Sequence, residues 1–385
     1  MDSSGTHKRI LIIAGEASGD MHGAHLINAL KQKDNSLECC GVGGKAMQAA
    51  GVKLVVDAAT LSVVGITEVI SRLPGILKGL SVVKKQLTDF QPDLVILIDF
   101  PDFNLRIAAA AKKMGIPVLY YISPQIWAWR SGRVVKIGKL VDHMAVILPF
   151  EEPFYRDHHI PVTFVGHPLM DEYSGIPTPI VQTASHVHPI VGLLPGSRES
   201  EIRRMLPVML ESAIVLSRRL EHVSFVISVA PGASQKVIET LSAPYVSRLS
   251  IELNTGGASA VFPNVHIAVA ASGTVTLEAA INNTPVVIVY KVSPLSYHLG
   301  KALIRVAHIG LVNLIAGREI APELVQDSAS PENIAATVYR LVTSSQALNT
   351  MRQSFAEVRA RLGGTGASAR VADIALKMLG IKHLT

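Results

Sequence analysis

Arg9-Ile10-Leu11-Ile12-Ile13-Ala14-Gly15 is an unbroken apolar run closed by a glycine. A strand with one wet face alternates apolar and polar residues. One covered on both faces is apolar throughout, as in a parallel sheet sandwiched between helices. A helix is expected next, from about Asp20 to Lys31. The unit then repeats: Leu94–Asp99, Val118–Ile122 and His143–Leu148 read as further parallel strands separated by helical stretches. It restarts at Ile190–Leu194 and continues through Ser224–Val229, His266–Ala270 and Pro285–Tyr290. Two successive series of this kind predict an α/β chain with two doubly wound, Rossmann-like domains.

The 385 residues suit two domains, and the Pro-, Ser-, Thr- and His-rich stretch 175–189 is the best linker between them. The expected division is 1–174, a linker at 175–189, 190–345, and closing helices over 346–385 interrupted at Gly363–Gly366. Apolar residues at 49%, charged residues at 17% and a mean hydropathy of +0.35 exclude a disordered chain. No run of 18 apolar residues predicts a membrane span, and no signal-peptide pattern is evident, so a cytoplasmic location is expected. The adjacent pair Cys39-Cys40 fits neither a disulfide framework nor a zinc site. Residues 1–175 carry 18 Lys+Arg against 17 Asp+Glu, whereas 176–385 carry 18 against 13, so the positive excess belongs to the second half. With aromatics at 5%, that excess points to a compact polyanionic ligand rather than to nucleic acid.

Ligands of open parallel sheets bind beyond the strand carboxyl ends, so those turns are the places to look. The first is Gly15-Glu16-Ala17-Ser18-Gly19-Asp20, whose glycines open helix amides to an anion or a sugar hydroxyl. Ser18 or Asp20 as a helix cap is the plain alternative, but Glu16 stands where a ligand would sit. Asp99-Phe100-Pro101-Asp102-Phe103-Asn104 offers two carboxylates and an amide, enough for a general base, unless Asp102 or Asn104 only caps the next helix. Ser123-Pro124-Gln125-Ile126-Trp127-Ala128-Trp129 holds both tryptophans, and Arg130, Arg133, Lys136 and Lys139 follow at every third residue. Such charges usually form a solvated helix face; beside tryptophans they suggest contact with anionic lipid or phosphate.

In the second half, Pro195-Gly196-Ser197-Arg198 opens a helix and outlines a diphosphate site. It lacks the ending of a P-loop, which disfavours nucleotide hydrolysis. Ser272-Gly273-Thr274 repeats the theme; Thr274 as cap puts Glu278 one place beyond a capping box, free to bond a ribose hydroxyl. Asn313 and Arg318-Glu319 form a last polar cluster, with an Asx turn and an ion pair as the plain reading. No metal-ligand spacing and no serine-hydrolase elbow occur, and no cofactor is implied.

Over Ile66–Leu80 the apolar residues Ile66, Val69, Ile70, Leu73, Leu77 and Leu80 follow a helical period, while Pro74 and the nearby glycines predict a kink or two short helices. A core-facing helix is the default, and a helix lying in a bilayer surface is the alternative.

Taken in order, these motifs resemble the lipid-A-disaccharide synthase family nearly end to end, with Ala17 where many members carry Thr. The resemblance implies a GT-B glycosyltransferase with an N-terminal acceptor domain, a C-terminal nucleotide-sugar domain, and last helices that cross back to the first. It implies transfer of 2,3-diacylglucosamine from UDP to 2,3-diacylglucosamine 1-phosphate, giving a β-1,6 disaccharide and UDP without metal. Asp102 is then the expected base, with Asp99 or Glu16 as fallback. Gly196, Ser197, Arg198, Ser272, Gly273, Thr274, Glu278, Asn313 and Arg318 are expected on the nucleotide side. Ser18, Asn104, Trp127, Trp129, Arg130, Ile70, Leu73 and Leu77 are expected on the acceptor or lipid side, against an anionic inner-membrane surface. Another UDP-sugar enzyme of the same fold, or a non-catalytic UDP-binding membrane module, are the alternatives.

Overall fold

The computed structural model describes residues 7–61, 66–129, 131–174, 188–292 and 306–381, without the side chains at 66–73, 129 and 131. Two compact units result: Met1–Glu172 joined by Leu362–Thr385, and Tyr173–Arg361. Strands of the first are β1 (Arg9–Ala14), β2 (Glu38–Gly43), β3 (Lys53–Asp57), β4 (Leu94–Ile98), β5 (Val118–Tyr121), β6 (His143–Val146) and β7 (Val162–Phe164). Those of the second are β8 (Ile190–Leu194), β9 (Ser224–Ser228), β10 (Ser250–Asn254), β11 (Ile267–Ala271), β12 (Val286–Tyr290) and β13 (Glu323–Val325). Every pairing is parallel, in the orders β3-β2-β1-β4-β5-β6-β7 and β10-β9-β8-β11-β12-β13.

The apolar runs fold this way because each sheet is buried on both faces. On β1, Leu11 and Ile13 enter one core cluster with Val95 and Leu97, while Ile10, Ile12 and Ala14 enter the other with Ile96 and Ile98. Helix Ala17–Lys33 and the last helix, Ala367–Met378, cover that second face. Cys39 and Cys40 are neighbours on β2, so their side chains go to opposite faces and cannot pair. Burial pushes the two thiols up to about 11 and about 12. Among the described residues no helix is long and apolar enough to cross a membrane.

Two expectations change. Of the two readings of Ile66–Leu80, a kink or two short helices, the second is excluded: Ile66–Asp89 is one helix with Pro74 inside it. From Ile76 onward its inward face is Ile76, Leu80, Val83 and Leu87, and this stripe carries the helix past the window read from sequence. Leu77 is 48% exposed. Second, helix Ser345–Arg361 stays with the second unit, and the chain returns to the first only at Leu362. The glycine-rich turn that follows is clamped there. Arg370 donates to the carbonyls of Val165 (2.7 Å), Thr365 (2.7 Å) and Gly364 (2.8 Å). Asp171 accepts from the amides of Gly366 and Ala367, which open the last helix.

Asp171→Ala removes that cap, a loss of about 1 kcal/mol. Hydrogen exchange at the first amides of helix Ala367–Met378 is expected to quicken several-fold; unchanged protection there would show that the cap holds nothing.

Candidate active site

In both sheets the strand order reverses beside the first strand, so the connections after β1 and β4, and after β8 and β11, diverge. Each sheet thereby opens a crevice at its strand carboxyl ends.

In the first unit, Gly15-Glu16 leaves β1 and Asp99-Phe100 leaves β4. Asp99 and Phe100 hold φ of 45° and 48°, and Ile122, beyond β5, holds 61°. Non-glycine residues pay for left-handed backbone, so the surroundings must enforce it. Asn104 does so from complete burial, donating Nδ2 to the carbonyls of Ile98 (3.2 Å) and Asp99 (2.7 Å), while Tyr120 donates its hydroxyl to the Asp99 carbonyl at 2.5 Å. The Phe100 ring lies over Gly15, where any Cβ would stand 2.3 Å from a ring carbon. Asp99 is left half-buried, its carboxyl raised to about 6 by burial and then by the negative charge of Glu16. Asp102 differs sharply: its side chain is 80% exposed and pairs with Arg133 at 3.2 Å.

The capping readings are corrected here. Helix Pro101–Lys113 begins behind Phe100 with no side-chain cap, so neither Asp102 nor Asn104 serves as one. Helix Ala17–Lys33 likewise has none: Ser18 is exposed, and Asp20 instead accepts from the amides of Gly44 (2.6 Å), Ala46 (3.0 Å) and Met47 (3.0 Å). Asp20 thus caps helix Lys45–Ala49 after β2, accepting from amides that have no partner within that helix.

Beyond β5, Trp127 is half-buried and donates Nε1 to Glu151 Oε1 at 3.1 Å, with its ring edge-on to Phe150 at 4.7 Å. Glu151, which sequence reasoning missed, is buried, and burial pushes its carboxyl up to about 7. Its place just after β6 was the available signal. The side chains of Ile70, Leu73 and Trp129, and all of Arg130, lie outside the described residues.

In the second unit a cavity of about 390 Å³ lies at the β8/β11 crevice, lined by Gly196, Ser197, Arg198, Ser272, Gly273, Thr274 and Glu278 among others. Arg198 occupies the N-cap position of helix Glu199–Ser217 without capping it by its side chain, and Glu201 reaches back toward its backbone amide and guanidinium, both at 3.5 Å. Gly196 holds φ 109°, and a Cβ there would stand 2.6 Å from Glu201 Oε2. Arginine, hydroxyl and the first helix amides therefore gather at one wall, as an anionic ligand requires. Glu278 on the same wall accepts from the Tyr173 hydroxyl at 2.7 Å, and burial raises its carboxyl. Neither Ser272 nor Thr274 caps helix Val275–Ile281 with its side chain; Ser272 donates to the Ile309 carbonyl at 2.8 Å.

Two expected nucleotide-side residues do not line this cavity. Asn313 is fully buried and saturated, donating to the Ala321 carbonyl and Glu323 while accepting from the amides of Ile320 and Ala321. Arg318 pairs with Glu357 at 3.1 Å and Ser354 at 3.2 Å, in a separate cavity. Glu323, also missed, accepts from the amides of Ile309 (2.9 Å) and Gly310 (3.0 Å), so Asn313 and Glu323 hold the segment that Ser272 touches. Edge strand β13 is too short to have signalled it.

A family model described as lipid-A-disaccharide synthetase matches residues 10–376. The lipid-A-disaccharide synthase of Geobacter metallireducens is 45% identical over 384 residues, covering 98% of this chain and 99% of that one. That of Coxiella burnetii is 41% identical over 377 residues, covering 96% and 98%. Among solved structures, the UDP-GlcNAc 2-epimerase from Neisseria meningitidis bound to UDP-GlcNAc shares the fold at TM-score 0.63 and 16% identity, over 96% of this chain and all of the other. The calicheamicin glycosyltransferase CalG4 does so at 0.59 and 17%, over 97% and 99%. The fold class is accordingly that of GT-B proteins, two doubly wound domains in one chain.

Glu16→Gln removes one cause of the raised Asp99 carboxyl, so that group is expected to titrate below its present value of about 6. A carboxyl-carbon NMR titration reads this directly, and an unmoved Asp99 would assign the whole shift to burial.

Proposed function

This chain belongs to the lipid-A-disaccharide synthetase family, and from that premise we propose that it joins UDP-2,3-diacylglucosamine to 2,3-diacylglucosamine 1-phosphate. The products are the β-1,6 disaccharide 1-phosphate and UDP. Formation of the lipid A disaccharide by a glycosyltransferase is the family's activity, and the geometry supports a division of labour for it. The carrying observation is Asp99: a half-buried carboxyl at the β1/β4 crevice, raised to about 6 and held on a strained backbone.

Inversion by direct displacement needs a base for the acceptor 6-hydroxyl. That oxygen attacks the donor anomeric carbon, the bond to UDP breaks with its electron pair, and the proton passes to the base. Asp99 suits this task better than Asp102, the first expectation from sequence. The Asp99 carboxyl is poised near operating pH at the crevice, whereas the Asp102 side chain is 80% exposed and already paired with Arg133. On the other side, negative charge grows on the departing diphosphate. Arg198 and the amides after Gly196-Ser197 would stabilise it, and Glu278, braced by Tyr173, would take the ribose. Asn313 and Arg318 act at a remove, shaping the second unit rather than touching the nucleotide.

The first unit is proposed as the acceptor domain, docked from the cytoplasm on an anionic bilayer surface. Exposed Met21, Leu77 and Val135 and the exposed cations Lys136 and Lys139 support this. Sedimentation with phosphatidylglycerol vesicles is expected to weaken severalfold in Lys136→Glu/Lys139→Glu; full binding by that variant would remove the electrostatic part of the claim.

Asp99→Asn should lower kcat by about 10²–10⁴-fold while leaving UDP affinity intact, and Arg198→Ala should weaken UDP binding by about tenfold or more. Because the base works ionised, wild-type kcat should approach its plateau at about pH 7, stand at half near pH 6 and fall about tenfold per pH unit below that. Asp99→Asn losing UDP affinity and turnover together, or turnover undiminished at pH 5, would refute the base assignment.

A further inference from the structure

Glu151 is 1% exposed, and each of its carboxylate oxygens accepts from a fixed N–H group. Trp127 Nε1 reaches Oε1 at 3.1 Å, the Leu148 amide reaches Oε2 at 3.0 Å, and the Ile147 amide and Ser123 hydroxyl lie beside it. Ser123 in turn shares a hydrogen bond of 2.6 Å with the buried Tyr155 hydroxyl. One side chain thus ties the turn after β5 to the turn after β6. Burying a carboxylate among apolar residues is costly, and a hydrophobic group of equal volume would usually serve the core as well or better. A carboxylate can accept at both oxygens, whereas an amide in its place would set an N–H against the N–H of Trp127 or Leu148. Of the side chains it holds, Trp127 is the one that reaches the surface, half-buried and fixed at its nitrogen by Glu151 and along its ring by Phe150. Strand β5 pairs with β4 so that Tyr121 lies opposite Ile98, which sets the Trp127 turn beside the one carrying Asp99.

We propose that Glu151 is a positioning residue for the transfer: it locks the indole of Trp127 in one orientation, and the exposed part of that ring forms an apolar platform for the diacylglucosamine acceptor beside Asp99. This rests on the transferase reading above, and adds to it a residue that touches neither substrate. An indole is suited to the role because it offers a large rigid apolar surface with one polar handle, and the handle is what Glu151 holds.

The test is steady-state kinetics of the full chain with both lipid substrates, for Glu151→Gln, Trp127→Phe and the double variant. Trp127→Phe keeps a ring but loses the handle, and Glu151→Gln turns one acceptor into a donor. Each single change is expected to raise the acceptor KM by about tenfold, the size of one misplaced buried hydrogen bond, with the donor KM and kcat within about twofold. Glu151→Gln should add little in the Trp127→Phe background. Independent, additive effects, or equal damage to donor KM and acceptor KM, would mean that Glu151 serves only the fold and would overturn the proposal. If Glu151→Gln does not fold, Trp127→Phe alone decides: an unmoved acceptor KM overturns it. An unaltered chain that makes no disaccharide sinks the transferase reading and this assignment with it; an active chain with unmoved acceptor KM sinks only the assignment.

Discussion

A parallel sheet covered by helices on both faces has only its strand ends open to a ligand, and that constraint organises everything else here. It makes β1 and β8 apolar, buries Leu11 and Ile12 on opposite faces, and moves all polar chemistry into the turns. The order of strands then selects among the turns. Because β1 lies beside both β2 and β4, and β8 beside both β9 and β11, one crevice per sheet opens between diverging connections. Glu16 and Asp99 fall at the first, Arg198 and Ser272 at the second.

Much of the polar machinery at these ends acts on backbone rather than on a ligand. Asn104 and Tyr120 pin the carbonyl of Asp99, Asp20 caps a neighbouring helix, and Asn313 and Glu323 fix the segment touched by Ser272. These hydrogen bonds to backbone decide where the groups that face a ligand point. The left-handed Asp99 and Phe100 show the effect most plainly. Gly15 leaves room for the Phe100 ring, Asn104 ties down the turn, and the carboxyl between them is partly withdrawn from water. Its raised affinity for a proton follows from that placement and from the charge of Glu16.

Legibility in the sequence followed burial. The central strands were readable because a doubly covered strand has no polar positions. Edge strands β3, β7, β10 and β13 were not, being short, partly exposed or carrying charge, and neither was the inner strand β2, whose Glu38, Gly41 and Gly43 break the aliphatic run. The turns of Gly15-Glu16, Asp99–Asn104, Gly196–Arg198 and Ser272–Glu278 stood out as polar residues after apolar runs, and all of them lie at strand ends. Roles within a turn were harder to read. Asp99 and Asp102 differ by three positions and by nearly everything physical, and only the fold of the turn reveals which is buried. Asn313 and Arg318 sat in a suggestive cluster, but their partners, Ala321 and Glu357, come from contacts that spacing cannot supply. Glu151 carried no motif, and its importance rests on an indole 24 positions away.

The central claim is an inverting transfer between two lipid-bearing sugars, and product analysis tests it most directly. The purified chain would be supplied with UDP-2,3-diacylglucosamine and 2,3-diacylglucosamine 1-phosphate, with UDP release and the anomeric proton of the product followed together. One UDP per disaccharide and a β-1,6 linkage is the predicted result. UDP bound without disaccharide formed, or an α linkage in the product, would contradict it.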